Sequence, residues 1–225
     1  MTRVHVVVEG QTEESFVNKI LAPVLWTHQV FLVPILLGPH GHKGGRVNYA
    51  RVRQDILARL KQDRAAHCTT MLDFYGLGKD FPGTPAPPYP SSVGKVVHLE
   101  QAMKEDIIAQ SPDLRADIRF IPYIQLHEYE GLLFSDPEAF AKSISQPDLV
   151  KDFESIRKSF TTPEDIDNSP DTAPSKRVLG LCPTYNKVVD GTRAGRAVRI
   201  EAMRRECPHF RDWLERLETV GRQKG

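Results

Sequence analysis

Apolar runs alternate with amphipathic segments along the first half of the chain. Four runs rich in β-branched or apolar residues are typical of buried strands, and they cover residues 4–8, 30–37, 68–75 and 118–126. Three segments between them repeat apolar residues at helical spacing, which predicts helices over residues 12–26, 48–65 and 92–110. This alternation predicts an α/β fold with right-handed crossovers and a four-stranded parallel sheet covered on both faces.

Proline and glycine interrupt the pattern at defined places. Pro122 lies inside the fourth run, which predicts an edge position or a bulge for that strand. Pro23 falls late in the first helix and predicts a kink or an early end, while Thr12 is the expected cap. The Pro- and Gly-rich residues 76–94 predict a long ordered loop or a lid, and residues 40–46 predict a mobile basic loop.

The pattern changes after residue 126. Ser135 or Asp136 can cap a short helix, and residues 161–174 are polar enough to predict a loop or linker. Further helices are predicted over residues 175–181, 194–207 and 208–219. We therefore expect an α/β domain over residues 1–135 and a small, mainly helical, basic C-terminal extension over residues 136–225 that packs on it.

Composition places the chain among ordinary globular proteins, with 40% hydrophobic and 26% charged residues. No apolar run reaches the roughly 18 residues of a membrane span, and the N-terminus enters a strand without the pattern of a signal peptide. Cys68, Cys182 and Cys207 have neither metal-ligand spacing nor a disulfide framework. We expect a cytoplasmic protein with no membrane partner.

Acidic residues stand at three predicted strand ends: Glu9, Asp73, and the pair Glu128 and Glu130. The carboxyl ends of parallel strands share one edge of a sheet, where ligands bind. Glu128 and Glu130 would share a face if the fourth strand continued, and Glu128 lies nearer its end. Converging carboxylates repel one another unless a cation neutralises them, so the pattern predicts Mg²⁺ or Mn²⁺. Such an ion polarises a phosphoryl oxygen and activates water.

Other interpretations of these residues stay open. Glu9 and Glu13 are also what a helix N-terminus favours, and Glu128 or Glu130 could pair with an arginine. His127 is better interpreted as a hydrogen-bonded structural residue than as a general acid or metal ligand. The pair His40 and His42 is better interpreted as part of a solvated loop, because no third ligand lies nearby.

Basic residues gather in the C-terminal part. Lys176, Arg177 and Lys187 are the candidates for contact with substrate phosphates, and Tyr185 could stack on a base. A solvated helix face that pairs with the acidic linker explains the same residues equally well.

The acidic segments carry a resemblance to a known family. The run from Val8 to Glu14, the strand that ends at Asp73 and the segment from Glu128 to Phe134 resemble, in order and spacing, the toprim domain of topoisomerases, primases and OLD-family nucleases. The chain is similar in particular to small stand-alone bacterial toprim-like proteins, which commonly accompany an ATPase in phage defence. The resemblance covers roughly residues 3–135.

The resemblance implies a Rossmann-like toprim sheet and a Mg²⁺-dependent nuclease that hydrolyses phosphodiester bonds of DNA or RNA. Glu9 would bind metal or act as general base, and Asp73 would be the first aspartate of an Asp-x-Asp motif whose second position is Tyr75 here. Glu128, Glu130 or Asp80 would have to supply the missing oxygen. The implied catalytic residues are Glu9, Asp73 and Glu128; Glu130 joins these three as a metal ligand.

An ATPase partner follows from the same resemblance, and a homodimer stays open. A second hypothesis is a degenerate toprim module that acts as a regulatory or interaction subunit of an ATPase. A third, a nucleotidyl or other phosphoryl transferase, would need a nucleotide pocket, and no Gly-rich phosphate loop announces one in the sequence.

Overall fold

A parallel sheet forms the centre of the protein. The computed structural model describes residues 1–37, 47–89, 91–166 and 172–222. The sheet has the order β2-β1-β3, followed at its edge by β4 and β5, and every pairing is parallel. The strands are β1 Thr2–Val8, β2 Val30–Leu36, β3 His67–Asp73, β4 Phe120–Ile121 and β5 Ile124–Gln125. The predicted α/β class and parallel sheet are confirmed.

Helices cover both faces of this sheet. In chain order they are α1 Gln11–Phe16, α2 Ala22–Trp26, α3 Tyr49–Gln62, α4 Ser92–Gln110, α5 Ala116–Arg119, α6 Glu130–Leu133, α7 Pro137–Ser143, α8 Val150–Lys158, α9 Pro174–Leu181, α10 Val189–Glu206 and α11 Pro208–Arg222. Strand β1 shows the layering: Val4, Val6 and Val8 face a core shared with the first and the C-terminal helices. Val7 faces the core of α3 and α4. Alternate side chains of a strand point to opposite faces, so both layers are built on one buried run.

The first helical segment differs from its prediction at its start. Helix α1 begins at Gln11, with Gly10 at the capping position, so the expected cap at Thr12 is wrong. A π-helical stretch, Val17–Leu21, separates α1 from α2, and Pro23 lies in the first turn of α2. Proline lacks a backbone N–H and fits the first turn of a helix, so the segment changes its hydrogen bonding just before Pro23.

The predicted fourth strand is split at the edge of the sheet. Strands β4 and β5 lie on either side of Pro122, and both pair with β3. The predicted edge position is therefore correct. The strand does not continue to Glu128 and Glu130, which corrects the shared face expected for them. His127 has a left-handed φ of 61°, which turns the chain, and Glu130 begins α6.

Two segments predicted as loops are affected by the gaps between the described residues. The basic loop proposed at residues 40–46, with His40 and His42, lies wholly outside the described residues. Of the linker predicted over residues 161–174, residues 167–171 lie outside them. Between the 3₁₀ turn Phe74–Gly76 and α4, the described residues 77–89 form neither helix nor strand. Helix α4 has the predicted bounds, and the Oγ of Ser91 accepts the N–H of Gly94 at its start.

The C-terminal helices form one layer against the sheet. The indole Nε1 of Trp213 in α11 donates to the Oγ1 of Thr69 in β3 at 2.8 Å, and the Trp213 ring stacks on Tyr123 at 4.1 Å. Phe134 and Phe140, on either side of the domain boundary expected at residue 135, belong to the same hydrophobic core. The residue that caps α7 is Asp136, whose Oδ1 accepts the N–H of Ala139. Among the described helices, none has the length and apolar character needed to cross a bilayer.

Candidate functional site

Glu9 immediately follows β1 at the carboxyl edge of the sheet. Its Oε2 accepts the backbone N–H of Asp73 at 3.4 Å, which ties it to the end of β3. Gly76 packs against the same carboxylate: a Cβ at this position would lie 2.5 Å from the Oε2 of Glu9. Burial, followed by the charge of Glu13, raises the pKa of Glu9 to about 7. The side chain is thus held between the end of β3 and the turn that contains Gly76.

Asp73 is the last residue of β3 and the electrostatic centre of the site. Its Oδ1 is buried and accepts no hydrogen bond from the part of the chain that the structure describes. Burial raises the pKa of Asp73 well above its usual value, and the charges of Glu13, Glu9, Glu130 and Glu128 raise it further. Four glutamates therefore act on one aspartate at this edge. We call these five residues the carboxylate cluster.

Glu13 is the member of the carboxylate cluster that the sequence interpretation left out of the site. Its side chain is only 6% exposed, and its Oε2 accepts the N–H of Gly10 at 2.9 Å. Burial is the main cause that raises its pKa. It does cap the helix, as its place in the first turn suggested, but it also faces Asp73. The signal in the sequence was its spacing: the first turn of α1 returns Glu13 towards the strand end that carries Glu9.

Glu128 and Glu130 reach the cluster from the turn after β5. The Oε2 of Glu128 accepts a hydrogen bond from the backbone N–H of Ser175 at 3.0 Å. Its Oε1 accepts a hydrogen bond from the Nζ of Lys187 at 3.3 Å. Glu130 is buried, and its Oε1 lies 3.8 Å from the same Nζ, beyond hydrogen-bond distance. Burial raises the pKa of Glu130 to about 7, although Lys187 acts to lower it. One ammonium group thus lies beside two acids.

Lys187 is the cation that the structure brings to the carboxylate cluster. Burial lowers its pKa, but Glu130, Glu128 and Asp73 raise it by more, and the net effect is an increase. Lys187 is therefore charged at neutral pH and offsets part of the negative charge. It lies in the segment between α9 and α10, so the site combines the N-terminal strands with the C-terminal helices.

The donor chemistry of this cluster fits a hard divalent cation. All five side chains offer oxygen, and the buried oxygens Asp73 Oδ1 and Glu130 Oε1 lack hydrogen-bond donors within the described residues. Carboxylates that raise one another's pKa values repel each other when ionised. A bound cation would stabilise their ionised form. No three His, Cys, Asp or Glu residues in the described ranges are already grouped to hold a metal ion. A cation would therefore have to draw the carboxylates together.

Tyr75 and His127 form an aromatic border beside the cluster. Their ring centroids lie 5.3 Å apart, and Phe74 lies 6.3 Å from His127. Burial lowers the pKa of His127 to about 4, so this imidazole is neutral at physiological pH. Asp80, considered as a replacement for the aspartate that Tyr75 displaces, accepts the N–H of Tyr49 through its Oδ2 at the start of α3.

The other predicted phosphate contacts lie elsewhere. Lys176 and Arg177 border a cavity of about 370 Å³ together with Asp152 on α8. The guanidinium of Arg177 donates to the carbonyl of Thr172 and lies 5.2 Å from the Phe160 ring centroid. Tyr185 is buried, which does not favour the base-stacking role considered for it. Of the three cations proposed for substrate, Lys187 is the one that contacts the carboxylate cluster; a substrate role for the other two stays a prediction.

Comparison with known proteins gives a family. No curated protein matches the chain. Among solved structures, the C-terminal region of the OLD protein of Xanthomonas campestris pv. campestris is similar, with a TM-score of 0.47 and 11% identity over 100% of this chain and 98% of that one. A family model described as "Domain of unknown function (DUF4276)" matches residues 8–218. This match runs from the last residue of β1 into α11 and includes every member of the carboxylate cluster, so the chain belongs to the DUF4276 family.

Proposed function

We propose that this protein is a toprim-type nuclease that uses Mg²⁺ or Mn²⁺ to hydrolyse phosphodiester bonds of DNA or RNA. The observation that carries the proposal is the carboxylate cluster at the carboxyl edge of a parallel sheet, in which burial and then the charges of four glutamates raise the pKa of Asp73, whose Oδ1 has no hydrogen-bond donor among the described residues. The order of the acidic segments around Glu9, Asp73 and Glu128 supports the toprim assignment, because it follows the pattern that the family resemblance implies.

The acidic side chains divide into two roles. Asp73, Glu128 and Glu130 would hold the cation, with Glu13 as a further oxygen donor. When bound, such a cation supplies Lewis acidity towards a phosphoryl oxygen and lowers the pKa of water. Glu9 would hold the cation or accept a proton from the attacking water. Its pKa of about 7 suits a base that operates near neutral pH.

Lys187 would serve the substrate phosphate. Its ammonium group is charged and held 3.3 Å from Glu128, on the C-terminal side of the cluster. A phosphate that approaches the cluster meets strong negative charge, and a lysine at this point offsets part of that repulsion and can donate to a phosphate oxygen. Lys176 and Arg177 would contact phosphates further along the strand.

The test is cleavage of supercoiled plasmid, single-stranded DNA and RNA in Mg²⁺, in Mn²⁺ and in EDTA. We expect cleavage with either metal and none in EDTA. Glu9→Gln and Asp73→Asn keep the shape of each side chain and remove its charge, so each should lower the rate by roughly 10²-fold or more. Glu201→Gln is the matched control, because Glu201 is exposed and pairs only locally with Arg199.

Equal cleavage by the wild type, Glu9→Gln and Asp73→Asn would refute the assignment. So would cleavage that persists in EDTA, since the carboxylate cluster would then have no cation to hold. Loss of activity in Glu201→Gln as well would show that the assay follows general charge rather than the cluster.

A second function is favoured by one observation. Lys187 already offsets charge at Glu128 and Glu130, and Tyr75 stands where the toprim pattern, which the sequence resembles, has an acid. A cluster so arranged also suits a regulatory or interaction subunit of an ATPase, in phage defence for example, that uses no metal. Calorimetric titration with Mn²⁺ separates the two: heat of binding that disappears in Asp73→Asn supports the nuclease, and no binding supports the interaction subunit.

A further inference from the structure

A cavity of about 540 Å³ opens beside the end of β3. Its walls come from the 3₁₀ turn Phe74–Gly76, from the chain that follows it and from the first turns of α4. The residues that give it its character are Phe74, Tyr75, Leu77, Lys79, Pro85 and Lys95. We call this cavity the aromatic pocket. Its volume lies within the range of ordinary small-ligand sites.

The lining combines aromatic faces with two ammonium groups. The rings of Phe74 and Tyr75 lie 5.8 Å apart, and both side chains are partly exposed. Lys95 extends its Nζ to 5.3 Å from the Phe74 ring centroid, and Lys79 is exposed at the rim. Apolar surface from Leu77, Pro85 and Leu99 completes the walls. A ligand that matches this lining is planar and apolar at one end and anionic at the other.

The aromatic pocket adjoins the carboxylate cluster along the chain. Phe74 and Tyr75 are the two residues after Asp73, and successive Cα atoms lie about 3.8 Å apart. On the other side, the Tyr75 ring contacts His127, which precedes Glu128. The pocket and the acids therefore share the same end of β3.

We propose that the aromatic pocket binds one unpaired nucleotide of a DNA or RNA strand, with the base against Phe74 and Tyr75 and the adjoining phosphates facing Lys79 and Lys95. This inference rests on the proposed nuclease function and adds a substrate preference to it. Bases stack readily on aromatic side chains, whereas a base inside a duplex must first leave its stack. The protein therefore prefers single strands, or duplexes with a splayed nucleotide, over intact duplexes.

Binding in EDTA tests the aromatic pocket without cleavage. A labelled single-stranded oligonucleotide and a blunt hairpin of related sequence are titrated with protein, and fluorescence anisotropy gives each Kd. We expect tighter binding of the single strand. Phe74→Leu keeps the apolar bulk but removes the stacking face, and should weaken single-strand binding by roughly 5- to 100-fold.

The two lysines have their own readout. Lys79→Gln and Lys95→Gln should each reduce the salt dependence of log Kd by about 0.7 for a single strand. Lys151→Gln is the matched control, because Lys151 is exposed on α8, outside the pocket. These surface substitutions keep the test valid if Phe74→Leu unfolds. Oligonucleotides with a single abasic site, placed in turn along the strand, should show one position that weakens the wild type but not Phe74→Leu.

Three outcomes would overturn the inference. Phe74→Leu and both lysine variants could bind the single strand as tightly as the wild type does, or the hairpin could bind as tightly as the single strand. A mononucleotide could also displace the strand efficiently. The last result would assign the pocket to a free nucleotide. Cleavage that depends on Glu9 but not on Phe74 would reject the pocket and keep the nuclease. Strand binding that depends on Phe74, without any cleavage, would keep the pocket and reject the nuclease.

Discussion

Space around the Glu9 carboxylate is set by the absence of a side chain at residue 76. A Cβ on Gly76 would lie 2.5 Å from Oε2 and 2.7 Å from Oε1 of Glu9, which is closer than such atoms approach. The backbone of Gly76 does not have the positive φ that would itself require glycine. The glycine is therefore needed for the position of a carboxylate rather than for the path of the chain.

We predict that Gly76→Ala displaces Glu9 while the fold persists. Metal-dependent cleavage should fall by roughly 10- to 100-fold, because a shift of about 1 Å in a reacting group has effects of this size. The thermal midpoint should stay close to that of the wild type. Cleavage rate and circular dichroism melting of the same preparation check both statements.

Gly180→Ala is the control for this substitution. An added Cβ at Gly180, the penultimate residue of α9, meets no atom within 4 Å, and alanine is a better helix former than glycine. Cleavage should be unchanged and stability equal or higher. Full activity in Gly76→Ala would show that Glu9 tolerates the displacement, or that its position is irrelevant.

Residue by residue, the sequence predicted four of the five acids in the carboxylate cluster. The sequence could identify Glu9 and Asp73 because each stands at the end of a buried apolar run, and a strand end has a defined place in a parallel sheet. Glu13 was interpreted only as a helix-terminal acid. Its spacing from Glu9 was the available signal, but its burial depends on the packing of α1 against α10, which lies far away in sequence.

At the scale of elements, periodicity predicted the long helices best. Helix α4 has the predicted bounds because it carries a stripe of buried residues from Val96 to Ile107. Helix α8 was not predicted: it has nine residues, and Phe153 is its one buried side chain, so no stripe repeats. The fourth strand ends at Gln125, within one residue of its prediction, but it begins at Phe120 rather than at residue 118, because Ala116–Arg119 form the short helix α5.

The packing of α10 against the first helical segment depends on another glycine. A Cβ on Gly195 would lie 2.5 Å from Cδ1 of Ile20 and would also collide with the hydroxyl of Tyr129. That hydroxyl donates to the carbonyl of Gly191 at 3.0 Å, so it cannot move without losing a buried hydrogen bond. Two elements approach closely here, and one of them carries Glu13.

Gly195→Ala should therefore lower the free energy of unfolding by about 1–3 kcal/mol, the usual cost of overpacking a core. Urea denaturation followed by tryptophan fluorescence measures the change, since Trp213 lies in the same core. Gly180→Ala again serves as the control and should not be destabilised. A Gly195→Ala protein as stable as the wild type would mean that α10 shifts at no cost.

For the whole molecule, the buried acids give stability a dependence on pH. Glu9 and Glu130 have pKa values of about 7 in the folded protein against 4.5 as ordinary side chains. Between these values the folded state binds more protons than the unfolded state, so this contribution to stability is present at low pH and is lost as pH rises through 7.

We predict that the metal-free protein becomes less stable from about pH 5 to pH 8. Glu9→Gln should reduce this slope, because its side chain does not titrate. Mg²⁺ should raise the thermal midpoint at pH 8 and have little effect at pH 5, where the acids hold protons instead. Calorimetry in EDTA and in Mg²⁺ at several pH values makes the measurement. A wild type and a Glu9→Gln variant with equal slopes would contradict the shifted pKa of Glu9.

The link between Lys187 and Glu128 also has a consequence for synthesis of the protein. The acids lie in the first 130 residues, but the ammonium group that offsets them comes almost 60 residues later, and it is placed by a segment that leads into α10. While the chain is still on the ribosome, the early acids exist without this cation. A chain that stops before residue 187 therefore carries the acids without this cation, and under the proposed nuclease function we expect a nascent or truncated product to be inactive.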